Sequence, residues 1–414
     1  MKNNFYILVT FLLIGVNYSV RAQDTLSSTY VEKRTYELFL AKDWKELIEI
    51  GELAVNEGYD YFNLRMRIGM AYFEKENYLA AEKHFEKALC FSDNDKLVLE
   101  YLYFCKLFTG QQEECRILSA SFPNDLIVKM GLKEDSPIYS ISVEGAKKIS
   151  NNLSYDEPDD EGDGTFFNPA SYFQVGLKHG VKNRLSLFHA VSFFGQETSV
   201  GKVKQAQYYL NGTIPLKNKW SISPAFHLVN TNFSGVAYVD ETAYEFNTKN
   251  NYFVGSMELR KSIGMYKLSL GTTYSNTSDV NQFYHYGTVI YSPRGNNKLL
   301  LGLTTYLHTN DSYASSYTAF SPFVYLQPLK RIGFKLSYFH NRGNNVIEDN
   351  GSFINNSQNL TKARYGANLY FVASKNITLF GIYQFESKEQ RVPVINYQYN
   401  LFLAGIKISP SVFK

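Results

Sequence analysis

A chain of 414 residues, 44% apolar and 16% aromatic, has room for more than one domain and is too apolar for disorder. Its 42 basic and 39 acidic side chains leave a formal charge of +3, which argues against a nucleic-acid footprint or a surface that steers polyanions. The 33 Tyr and 31 Phe are more than an average soluble protein carries.

Residues 1–22 read as a secretory signal. Lys2 precedes an apolar run over residues 5–16, and Val20-Arg21-Ala22 supplies the cleavage site. The run is shorter than the roughly 20 residues of a membrane-spanning helix, and the absence of a cysteine after the cleavage site argues against an acylated lipoprotein. No later stretch is apolar enough for such a helix, so membrane insertion has to come from strands.

Residues 25–133 carry a helical period. Ile68 and Gly69 fall at the close contact of one helix, with Tyr72 one turn on; Ala81, Phe85 and Ala88 fill the next helix at i, i+4 and i+7. Gly69 and Ala81 let the helices approach, and Tyr72 and Phe85 fill the gap between them. A shift of about 34 residues puts Asp43-Trp44 and Ala54 in the same places upstream and Gly110-Gln111 and Phe122 downstream. The segment resembles the tetratricopeptide family, most clearly in its middle unit. That resemblance implies a scaffold that holds a protein or peptide in a concave groove. Tyr59, Tyr61, Phe62, Tyr101, Tyr103, Phe104 and Phe108 either line the groove or fill the repeat core. His84 is expected to be exposed or capping. Cys90, Cys105 and Cys115 are odd in number and cannot all pair within one chain: buried thiols are expected, with a Cys105–Cys115 bridge as the alternative.

Residues 136–414 change to period two. Tyr266, Leu268, Leu270, Thr272 and Tyr274 share one face of a segment whose other face holds Lys267, Ser269, Gly271, Thr273 and Ser275. Apolar-out, polar-in alternation with abundant aromatics predicts a transmembrane barrel. The fold class is therefore multidomain α + β, helical repeats followed by an antiparallel transmembrane β-barrel. Candidate strands are 138–149, 172–181, 185–194, 203–216, 220–230, 252–261, 266–275, 282–291, 298–309, 317–326, 332–341, 362–374, 377–386 and 397–409, about fourteen in all; twelve or sixteen remain open. With the helices in the periplasm, the odd connections become outer loops: 151–170, 195–202, 231–251, 276–281, 310–316, 342–361 and 387–396. The even ones become mostly shorter inner turns. Phe413 resembles the terminal aromatic that barrel-assembly machinery reads, although Lys414 follows it.

Leu299, Leu301, Leu303, Leu307, Ile332, Phe334, Leu336 and Tyr338 are assigned to lipid. Glu144, Lys178, Gln205, Gln207, Asn211, His227, Glu258, Arg260, Lys267, His308, Lys335, Lys362, Arg364 and Asn368 are the lumen candidates. Charges of both signs fit either a wet pore or an interior closed by its own ion pairs.

Specific chemistry is sparse. His189, His285, His308 and His340 lie on strands among many serines, yet no nucleophile elbow accompanies them, so a lipid hydrolase or acyltransferase is the minor reading. The acidic run 156–164 lacks the EF-hand spacing and reads as a solvated loop. No metal or cofactor is expected.

In its order of elements the chain resembles YaiO-like outer-membrane proteins and the larger exopolysaccharide-export porins. That resemblance implies outer-membrane lipid around the barrel, a periplasmic protein or peptide on the repeats, and an exported polysaccharide as a candidate cargo. Two readings remain: a pore, or a closed barrel that anchors an envelope machine.

Overall fold

The structure is a computed structural model, and the residues it describes are 27–132, 137–151, 169–181, 185–198, 201–239, 242–277, 280–310, 316–341, 346–355, 359–391 and 394–410. The signal segment, the acidic stretch 156–164 and Phe413 lie outside the described residues.

Among the described residues seven helices come first: α1 (Ser28–Ala41), α2 (Trp44–Asn56), α3 (Phe62–Glu74), α4 (Tyr78–Leu89), α5 (Lys96–Phe108), α6 (Gln112–Ser119) and α7 (Asn124–Met130). None is long and apolar enough to cross a membrane. The N-cap positions Asp43, Asn77 and Gln111 recur every 34 residues. Asp43 and Asn77 accept a backbone N–H of the first turn, and Gln111 spends its amide elsewhere. Three linked cores run through the stack. Ile68, Ala81, Phe85 and Ala88 are fully buried. A Cβ on Gly69 would lie 2.7 Å from the Phe85 ring, so the close contact expected there is real.

His84 is not exposed. It is 1% accessible, 3.0 Å from Glu52, and in contact with Arg65 at 3.2 Å. Tyr72 stacks on it and donates to Glu52. Sequence periodicity could not anticipate a polar cluster assembled from three helices. Cys90, Cys105 and Cys115 are free thiols, the last two buried. Burial pushes the Cys115 thiol up to about 12, so it stays protonated at neutral pH.

The rest is a closed antiparallel barrel of fourteen strands in which β1 (Ile138–Ser150) pairs with both β2 (Ala170–Val181) and β16 (Val394–Ile408). Between them run β3 (Leu185–Thr198), β4 (Gly201–Pro215), β5 (Trp220–Val239), β6 (Thr242–Ile263), β7 (Tyr266–Ser275), β8 (Gln282–Tyr291), β9 (Leu299–Asn310), β10 (Ser316–Leu329), β11 (Ile332–His340), β14 (Leu360–Val372) and β15 (Ile377–Arg391). Two short strands, β12 (Val346–Glu348) and β13 (Phe353–Asn355), pair only with each other. Leu270, Leu303, Leu307 and Leu336 are 43–68% exposed on the outside. An apolar wall of that extent faces lipid rather than water, and the barrel is of the outer-membrane kind.

Four connections differ from expectation. Residues 231–251 are strand almost throughout, because β5 and β6 stay paired from Trp220↔Lys261 to Val239↔Thr242. The expectation truncated each strand at bilayer thickness, whereas a hairpin goes on satisfying its backbone beyond the lipid. Within 195–202 and 387–396 the ladders likewise run on, to Thr198↔Gly201 between β3 and β4 and to Arg391↔Val394 between β15 and β16. The fourth, 342–361, shapes the lumen.

Candidate functional site

The connection between β11 and β14 folds into the barrel as a hairpin. Asp349, Asn350 and Gly351 all adopt positive φ, at 50°, 54° and 81°, and turn the chain sharply between β12 and β13. An Asp-Asn-Gly triplet suits that turn, since these residues tolerate the left-handed region best. The tip is tied to the β4–β8 wall. Asn350 donates to the Ser223 carbonyl at 3.0 Å and accepts from Ser256 at 2.6 Å. Tyr209 donates to the Asn350 carbonyl at 3.2 Å, and a His227 ring nitrogen lies 2.8 Å from the Gly351 carbonyl. Ile347 packs against Val254 and Tyr284.

An ion cluster holds the hairpin's other side. Glu348 of β12 pairs with Arg364 of β14, whose guanidinium lies between the Phe339 and Phe353 rings at 4.8 and 5.0 Å. Arg364 also reaches Glu386 of β15 at 3.8 Å, and Glu386 accepts from Lys148 of β1 at 2.7 Å. Buried charges are stable only when paired in this way.

The helices close the near end of the barrel. Glu113 pairs with Lys178 at 2.9 Å, and Lys219 lies 3.2 Å from Glu82 and 3.1 Å from Glu86. Lys298 pairs with Glu76, Lys267 donates to the Thr109 carbonyl, and Arg116 lies 3.3 Å above the Tyr139 ring. The Leu79 amide donates to the Gly295 carbonyl at 3.0 Å. Acidic helices thus meet a ring of barrel lysines. Burial opposes ionisation of Glu82, but Lys106, Lys219 and the Gln111 amide outweigh it and hold the carboxyl below its usual range. Glu113 behaves alike: burial raises its pKa, while Lys178 and its backbone hydrogen bond bring it below the ordinary value.

Between floor and hairpin a cavity of about 1640 Å³ extends from Gln111 and Glu113 on the helices to Tyr397 near the far end. It passes the hairpin along β1, β2, β15 and β16, where Glu144, Gln174, Gln384 and Leu401 face it. The hairpin narrows the lumen without filling it.

Most of the lumen candidates line this space: Glu144, Gln205, Gln207, Glu258, Arg260, Lys267, Lys335, Arg364 and Asn368, with Lys178 and Asn211 around a smaller recess at the hairpin tip. Arg260 is paired with Glu258. His227 lies under the tip, and His308 is buried between Tyr284 and Tyr317 with Gln282 as its partner at 3.0 Å.

Lys362 is a correction. The β14–β15 register shifts between Thr361 and Ala363, and Lys362 is the extra residue of that bulge; it turns out to Glu389 and Asn396 instead of into the lumen. His189, His285 and His340 also sit on the outward face, His189 in a chain with His179 and Tyr208. Of the aromatic groove candidates, Tyr103 is core, Tyr59 and Tyr61 pack against the first core, and Tyr101 stacks on Phe85 at 4.9 Å; only Phe108 is clearly exposed.

Sequence reasoning missed Glu348, Asn350, Glu386, Lys388 and Lys148. The hairpin left one trace, Asp-Asn-Gly between the apolar pairs Val346-Ile347 and Phe353-Ile354, which is a hairpin signature set inside an expected loop.

No protein-family profile matches the chain, and no curated protein sequence does. Among solved structures it is similar to the Pseudomonas putida toluene transporter TodX, with 6% identity and a TM-score of 0.43 over 70% of this chain and 93% of that one. It is similar to a Pseudomonas aeruginosa FadL homologue with 9% identity and a TM-score of 0.41, covering 66% of this chain and 90% of the other. The KdgM porin aligns with 9% identity and a TM-score of 0.30, covering 65% and 99%. The functional reading rests on this chain's own lumen.

Proposed function

We propose that the protein is a gated outer-membrane pore for polar solutes, with its helices in the periplasm as a docked floor and the β12–β13 hairpin as an internal constriction. The observation that carries this reading is the cavity itself, which runs past the hairpin from the helices to the far end of the barrel. A barrel used only as an anchor has no need of such a passage. The wall offers Gln174, Gln205, Gln207, Gln384 and Asn368 beside tyrosines such as Tyr172 and Tyr399, a chemistry that suits a hydroxyl-bearing solute. A glycan is the corresponding cargo.

The helices recur with the 34-residue period of tetratricopeptide repeats, and the partner engaged by α4 and α6 is this chain's own barrel. A periplasmic protein that competed for the same acidic face would open the floor. On this reading the serines and histidines do no hydrolytic work.

Liposome swelling tests the proposal. Vesicles carrying the protein with its floor released should swell in arabinose and more slowly in stachyose. Equal silence in both sugars from a folded, heat-modifiable barrel would leave the anchor reading in place.

A further inference from the structure

We propose that Lys388 is the recognition group of a carboxylate-binding site in the far half of the lumen. As a transport subsite it rests on the pore reading above. Strand β15 places Gln384, Glu386 and Lys388 on one face, and all three line the cavity. Lys388 is 1% exposed, and its Nζ has no hydrogen-bond partner among the described residues. Buried amines are normally paired, because a desolvated ammonium without an acceptor is costly.

The neighbouring charges do not satisfy it. Glu386 is already engaged by Lys148 at 2.7 Å and Arg364 at 3.8 Å, and Arg364 is itself pinned by Glu348. Glu389 is turned outward to Lys362. Among the described residues, Glu348 and Glu386 are the carboxylates in direct contact with this cluster; they pair Arg364 and Lys148, and Lys388 is the cation left without a partner. A monoanion matches the one unpartnered ammonium; a phosphate dianion exceeds it. Tyr397 is the cross-strand neighbour of Lys388, and its ring lies 5.5 Å from that of Tyr399, over which Lys148 sits at 4.4 Å. The site thus offers one ammonium beside two rings, and its ligand class is a monocarboxylate with a flat or apolar body.

Benzoate is the probe, titrated calorimetrically into the full-length protein in detergent, with benzyl alcohol and inorganic phosphate as comparisons. Saturable benzoate binding is expected, with benzyl alcohol weaker by about tenfold or more, a difference of about 1.4 kcal/mol per tenfold. Lys388→Met should lose benzoate by a similar factor, and Lys388→Arg should retain it within a few-fold. Both variants should keep the wild-type heat-modifiable band, so that loss of binding is not loss of fold. Undiminished benzoate binding by Lys388→Met, or no saturable binding by the wild type, overturns the site. Phosphate binding as tight as benzoate overturns the carboxylate assignment. Calorimetry needs no conduction: a protein that binds benzoate through Lys388 and never conducts keeps the site and loses the pore. A conducting protein that ignores benzoate does the reverse.

Discussion

Gly69 and Arg364 show how much a single position determines. Any Cβ at Gly69 collides with the Phe85 ring at 2.7 Å, and that ring is fully buried. Gly69→Leu should destabilise the helices by at least the roughly 1–3 kcal/mol typical of overpacking. The helical circular-dichroism melt should drop while the barrel's heat-modifiability persists; an unchanged melt would mean that the contact is not tight. Removing Arg364 leaves Glu348 and Glu386 buried with less compensation, a loss of about 3–5 kcal/mol for a broken buried pair. Arg364→Ala should therefore free the hairpin and enlarge the conducting steps of a floor-released barrel, not merely change their selectivity. Steps of wild-type size with altered reversal potential would return Arg364 to the role of a simple lumen charge. These residues differ in legibility. Gly69 belongs to a local 34-residue pattern, and Arg364 was placed in the lumen by parity. Its partner Glu348 was invisible because that contact depends on a loop folding back inside. Lys362 escapes period-two counting, which carries no mark for a bulge.

At the scale of elements, the docking of the helices is an acid-sensitive contact. Glu82 and Glu113 both titrate below their unfolded value of about 4.3. Their stabilising contribution is therefore complete above that value and is lost as pH falls through the lowered folded values. Hydrogen exchange over residues 77–82, including the Leu79 amide that bonds Gly295, should lose its protection below about pH 4 once intrinsic rates are corrected. Protection that is flat from pH 7 down to 3 would show that these carboxylates do not hold the floor. The hairpin behaves differently, since Asn350 anchors it mainly through neutral hydrogen bonds to Ser223 and Ser256. Asn350→Ala should loosen it by about 1–3 kcal/mol at any of these pH values, seen as increased protease cleavage within residues 346–355. Helix and strand identities were legible because their periods are local. The docking was not, because it joins Glu76, Glu82 and Glu113 to lysines more than 60 positions away, and no spacing rule spans that distance.

For the molecule as a whole, strand count, closure and the sidedness of the wall followed from alternation along the chain, and the interior followed only in part. A barrel whose outer wall is apolar and whose inner wall is amide- and charge-rich can hold water throughout, and here the passage is interrupted by the helices at one end. On the pore reading this floor, rather than a filled lumen, keeps the passage closed. Reversing the barrel lysines tests it, because Lys178→Glu, Lys219→Glu and Lys298→Glu together set like charges against Glu113, Glu82, Glu86 and Glu76 without touching the lumen's ion cluster. Single-channel conductance of the full-length wild type and of this triple variant, in planar bilayers, is the decisive comparison. The expected result is a wild type that is closed or opens only briefly, more often as salt rises, and a triple variant with long, steady steps. A folded triple variant as silent as the wild type, or a wild type already conducting at the same level, would contradict the claim.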